Sequence, residues 1–113
     1  MQLINKTKNT ILAEYAVVAD TPFKRIKGLL GKNDFKLGEA LILKPCNSIH
    51  TFFMRFPIDV LFVDKENRLI KTTSLLPPFC LTPIYFRAHF AIELPAGTIQ
   101  FTSTQEGDII SFE

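Results

Sequence analysis

Three side chains stand out because they sit inside apolar runs: His50, Asp59 and Glu93. His50 lies in SIHTFFM, residues 48–54. In strand phase it shares a face with Ser48, Phe52 and Met54, while Thr51, Phe53 and Arg55 point the other way. Cys46, four residues earlier, joins that face only if the strand runs back so far. A Cys–His pair can activate a thiolate nucleophile. No specific motif accompanies this pair, however. A half-buried histidine bonded to a backbone carbonyl, beside a small apolar cysteine, explains both residues without catalysis.

Asp59 falls in IDVLFVD, residues 58–64, on the same strand face as Leu61 and Val63. A carboxylate there needs a partner, or its pKa must rise. Arg55 is near in sequence, and Arg25 could reach it through the fold. The simpler reading is a structural ion pair or a capped turn at the mouth of a hairpin. The functional reading is a carboxylate at a pocket rim, tuned by burial. Glu93 alternates with Ile92 and Leu94, which reads as the solvent side of an antiparallel sheet. If it shared a cleft with Asp59, the two could act as acid and base. Arg87 and His89 read as surface residues.

Cys46, His50, Cys80 and His89 together have zinc-ligand chemistry, but structural zinc sites space their cysteine pairs more tightly. No acidic cluster suggests calcium. No metal or other cofactor is therefore expected. The chain has no phosphate loop, no GxGxxG and no GxSxG. No basic-aromatic run resembles a nucleic-acid platform.

The elements that must position these residues are mostly strands. Residues 2–7 and ILAEYAVV, 11–18, read as a hairpin turning at Asn9-Thr10, with Ile11, Ala13, Tyr15 and Val17 on one face. Asp20-Thr21-Pro22 starts a short helix, about residues 22–30. Phe23, Ile26 and Leu30 form its apolar side, Lys24, Arg25 and Lys27 point outward, and Gly31 closes it. Further strands are expected at 40–44, 48–54, 58–64, 68–76, 89–94 and 108–113. Pro57 breaks the run after SIHTFFM, and Pro77, Pro78 and Pro83 suggest a stiff crossing loop. Short strands with frequent turns point to a mainly β fold, a sandwich or barrel with one short helix.

The totals agree with one domain over residues 1–113, with neither linker nor repeat. Eleven Phe and no Trp ask for a dry core. Net charge is only +2, and the pI near 8.6 is below that of a dedicated nucleic-acid binder. The basic residues Lys24, Arg25, Lys27 and Lys32 read as a solvated helix face, or else as a contact for an acidic partner. Residues 1–10 lack the apolar core of a signal peptide, and no stretch is long enough to span a bilayer. The two cysteines are too few for a disulfide framework. A cytoplasmic protein with reduced thiols is the expectation.

Several segments together resemble a known family. RIKGLLG (25–31), NSIHTFFMRFPIDVLFVD (47–64), IELPAGTI (92–99) and EGDIISF (106–112) are similar to the prokaryotic domain of unknown function 192, over about residues 20–113. The resemblance implies a compact, jelly-roll-like β-sandwich with a short helix, and no defined reaction. Many relatives look exported. The family pattern draws attention to Arg25, His50, Thr51, Met54, Asp59 and Glu93, although such a pattern can record folding needs as easily as a site.

The expectation that follows is a small binding or accessory domain holding an unknown small ligand or protein partner. Its candidate cluster is Arg25, His50, Thr51, Arg55, Asp59 and Glu93, centred on His50, Arg55 and Asp59. The alternative is a small hydrolase or lyase in which Asp59 or Glu93 works with His50 as acid and base.

Overall fold

The computed structural model describes all 113 residues. Its elements run β1 (Leu3–Asn5), β2 (Thr10–Ala13), β3 (Tyr15–Ala19), α1 (Pro22–Lys27), β4 (Glu39–Leu43), β5 (Ile58–Val63), β6 (Leu69–Leu76), β7 (Phe90–Pro95), α2 (Thr98–Phe101) and β8 (Ile110–Phe112). They form two sheets, a three-stranded one in the order β2-β1-β8 and a five-stranded one in the order β3-β4-β7-β5-β6. β3 and β4 are parallel and the other pairs antiparallel. β1 joins the two ends of the chain, pairing Leu3 with Phe112. No helix is long and apolar enough to cross a membrane.

The sheets stack face to face over a shared core. Leu3, Leu12 and Ile110 from the small sheet meet Leu61, Ile92 and Leu94 from the large one. The opposite face of the large sheet is covered as well. Irregular chain supplies Leu29, Ile49 and Met54, which pack on Ile58, Val60, Phe62 and Ala91. Hence every residue of β5 and β7 is buried, and both strands read as nearly unbroken apolar runs.

Turns follow their local chemistry. Asn9 and Asn67 take the left-handed backbone at φ 56° and 64°, which Asn tolerates better than most residues. Between β5 and β6, the Asp64 carboxylate accepts the N–H groups of Glu66 and Arg68, both at 2.9 Å.

Four expectations need correction. ILAEYAVV is not one strand: the chain changes sheets at Glu14, so the face of Ile11, Tyr15 and Val17 is exposed while Leu12, Ala13 and Ala16 are buried. SIHTFFM is no ladder strand. His50 makes one isolated bridge to Leu81, and Phe53 sits at φ 65°, which a strand cannot accommodate. α1 ends at Gly28 (φ 45°), three residues before Gly31, and buries none of its side chains; Phe23 and Ile26 face solvent. Glu93 is not on a solvent-facing surface. It occupies the central strand of the large sheet and is only 3% exposed.

Candidate functional site

Glu93 points from β7 toward the face covered by irregular chain. Across the sheet its neighbours in register are Leu41 on β4 and Val60 on β5, both aliphatic. Neither carboxylate oxygen has a hydrogen bond, and Oε1 is fully enclosed without a partner. Burial alone pushes its pKa up to about 8, so the group is mostly a neutral acid at pH 7. It forms part of the floor of a cavity of about 230 Å³.

α1 forms one wall. The Thr21 hydroxyl caps it by accepting the Lys24 N–H at 3.2 Å, and Pro22 occupies the first turn. The helix then stops where it crosses above Glu93. A Cβ placed on Gly28 would lie 3.5 Å from the Arg25 carbonyl and 4.0 Å from Glu93 Oε1. These are ordinary contacts, so it is the positive φ of Gly28 that calls for glycine there. Arg25 and Lys27 project along this wall. Arg25 is half-buried and makes no ion pair or side-chain hydrogen bond.

The segment between β4 and β5 forms the other wall, with Cys46, Ser48, Ile49, His50 and Met54 lining the cavity. Thr51 pins it. Its hydroxyl donates to the Pro77 carbonyl at 2.6 Å and accepts the Cys80 N–H at 3.0 Å, while its carbonyl accepts from Phe79 and Met54. Thr82 repeats the device: its hydroxyl accepts the Ile49 N–H at 2.9 Å, and its carbonyl accepts from Ser48. These bonds tie together two loops that make no sheet and hold the backbone that carries His50 and Met54. His50 stays exposed at the rim, its ring stacked on Phe52 with centroids 5.4 Å apart. The Cys46 thiol donates to the Ser48 carbonyl at 3.1 Å. Burial raises its pKa, and the charges of Glu93 and Arg25 act on it in opposite senses.

Of the six residues singled out from the sequence, the fold brings Arg25, His50 and Glu93 to this cavity. Thr51 lies behind its wall as an anchor. Arg55 is exposed and donates to Asn33 Oδ1. Asp59 faces the opposite side of the sheet. Its Oδ1 accepts the Leu75 N–H at 2.9 Å, and its Oδ2 accepts those of Gly97 (3.1 Å) and Ile99 (2.9 Å). It caps the turn into α2 and a bulge in β6 and has no access to His50. Cys80 is absent from the cavity wall, and no three His, Cys, Asp or Glu side chains converge as metal ligands. Lys27, Gly28 and the apolar pair Leu29-Leu30 also line the cavity. Their signal was the RIKGLLG segment itself, read as a closed amphipathic helix rather than as a helix broken early over a pocket.

The family model for DUF192, described as an uncharacterised group, matches residues 3–112. The chain is a DUF192 protein. A UPF0127 protein of Thermococcus sibiricus is 34% identical over 115 residues, spanning 98% of this chain and 74% of that protein. A UPF0127 protein of Pyrococcus horikoshii is also 34% identical and covers 97% of both chains. A protein of unknown function from Novosphingobium aromaticivorans superposes with a TM-score of 0.86 at 16% identity, over 99% of this chain and 84% of its own. A putative transcription regulator from Sinorhizobium meliloti gives 0.80 at 18% identity, over 97% and 89%. At that identity the likeness establishes a shared fold. The DUF192 relatives are uncharacterised, and no specific activity follows from membership.

Proposed function

We propose that this DUF192 domain binds a small ligand in the cavity between α1 and the central strand β7. One observation carries the reading: the Glu93 carboxyl is nearly buried, faces the cavity and has no hydrogen-bond partner, its Oε1 being fully enclosed. A buried carboxyl without partners costs stability, and a fold keeps one where a ligand supplies the missing bonds. Arg25, also unpaired, adds a positive group to the same wall. Leu43, Ile49 and Met54 add apolar surface, the mixture of greasy walls and few polar anchors expected of a ligand site.

Amide NMR tests this with a library of small polar and apolar compounds. Hits are expected to shift Gly28, Ser48 and Ile49 and to bind at least about tenfold more weakly to Glu93→Gln. Hits confined to the open concavity around Lys65, Glu66 and Arg87, or no hits at all, would sink the reading.

A second reading is kept alive by Glu93 and His50 lining one cavity. A carboxyl with a pKa near 8 is suited to exchange a proton at neutral pH. In that acid–base enzyme Glu93 takes the part, since Asp59 lies outside the cavity and is held by three backbone N–H groups.

A further inference from the structure

Resting on the ligand-site reading, we infer that the cavity takes a free α-amino acid with an aliphatic side chain, its ammonium on Glu93, its carboxylate on Arg25 and its side chain against Leu43, Ile49 and Met54. Charge complementarity points to this class. A guanidinium and an ionisable carboxyl line one cavity, and they do not pair with each other: the ion pairs of the fold are Lys8–Asp108 and Lys32–Glu39. Cys46 lines the same cavity. A simple amine would satisfy Glu93 but meet Arg25 and Lys27 as like charges. A simple carboxylic acid would satisfy Arg25 and leave the Glu93 carboxyl without a partner. A zwitterion answers both, and charge-assisted bonds at each end are the strong kind. The cavity of about 230 Å³ matches a molecule of this size, and its remaining walls are mostly apolar.

Binding of this ligand is linked to a proton. Glu93 is mostly protonated at pH 7 in the empty site and must ionise to hold an ammonium. The titratable groups around it are Arg25 and Lys27 on α1 and Cys46 and His50 on the β4–β5 segment; the flanking strands present Leu41 and Val60. The proton leaves to solvent, on the order of 0.9 per site at pH 7. Affinity rises about tenfold from pH 6 to pH 7 and flattens above pH 8.

The test is titration of the intact chain with leucine, N-acetyl-leucine, leucinamide, isovalerate and isoamylamine. Amide NMR reports the place, and calorimetry in two buffers reports the proton. Leucine is expected to shift Gly28, Ser48 and Ile49, and each singly charged or blocked analogue to bind at least about tenfold more weakly. Glu93→Gln should abolish proton release, and Arg25→Gln should remove the preference for leucine over isoamylamine. If isovalerate, isoamylamine or a blocked leucine shifts those amides as strongly as leucine, the site stands and the amino-acid assignment falls. If no compound shifts them, the assignment falls together with the reading beneath it. A leucine complex that releases no proton overturns the placement of the ammonium on Glu93.

Discussion

Asp59 and Glu93 lie on neighbouring strands of one sheet, both shut away from solvent, and their surroundings could hardly differ more. Asp59, on the face toward the small sheet, accepts three backbone N–H groups and ties β6, the turn after β7 and the start of α2 together. Glu93, on the face covered by loops, accepts nothing, and burial alone drives its pKa up. Burial of a charge in an apolar strand is therefore no mark of a site. What separates a structural acid from a candidate binding group is whether the fold supplies its hydrogen bonds. A third buried acid, Asp108, falls with Asp59. Burial pushes its pKa upward, but Asn5, Lys8 and the Gln105 N–H together outweigh that and hold it below the usual range.

Glu93 and Asp108 should differ most in how stability depends on pH. Glu93 has its pKa raised on folding, from 4.5 to about 8, so the folded state holds the extra proton between those values. Its stabilising proton is present below the unfolded value and is lost as pH rises through the folded one. Stability should fall by up to about 1.4 kcal/mol per pH unit across that window, on the order of 5 kcal/mol in all. Asp108 has the opposite sign: its contribution is present above its unfolded value of 3.8 and is lost as pH falls through the lowered folded value. From these two acids, urea unfolding should show a maximum near about pH 4 with decline on both sides. Glu93→Gln should flatten the alkaline decline and leave the acid one. Parallel profiles for the two proteins would mean that Glu93 has a partner in the folded state.

Next in size is Asp59→Ala. It strands three backbone donors in the interior, at about 1–3 kcal/mol each before relaxation, and should cost about 3–5 kcal/mol of unfolding free energy. Asp59→Asn keeps one acceptor oxygen and should cost less. Were Asp59→Ala to unfold within about 1 kcal/mol of the wild type, the structural assignment of this acid would be lost, and the contrast with Glu93 along with it.

How far the sequence could be read follows the same division of the sheet. The segments forming β4 to β8 were legible because their apolar runs and turn residues are local signals. The capped-turn reading of Asp59 needed only a charge beside a strand break. Glu93 was misread because alternation with Ile92 and Leu94 shows which face a residue takes, not what covers that face. The cover is irregular chain held by Thr51 and Thr82, with no period to detect. The same cause hid the break in SIHTFFM: its β-rich composition suits a strand, but the Thr51 hydroxyl bonds to another loop and Phe53 turns the backbone left-handed. α1 misled in the reverse direction. Phe23 and Ile26 have helical spacing, yet their helix is too short to bring that face onto the sheet, and both remain exposed.

Arg25 is half-buried, carries a full charge and has no ion pair or side-chain hydrogen bond. Removing its charge with Arg25→Gln should change the unfolding free energy by no more than about 0.5 kcal/mol, the scale of an ordinary surface substitution. The loss of a basic residue near the C-terminus of α1 is included in that figure. The result bears directly on Glu93. A cost above about 2 kcal/mol would show that the guanidinium already supports the carboxyl in the empty protein, because only a desolvated pair is worth so much. Glu93 would then belong with Asp59 among the acids that build the fold. A near-silent Arg25→Gln leaves a guanidinium and a buried carboxyl in one cavity with nothing in the folded chain to answer either.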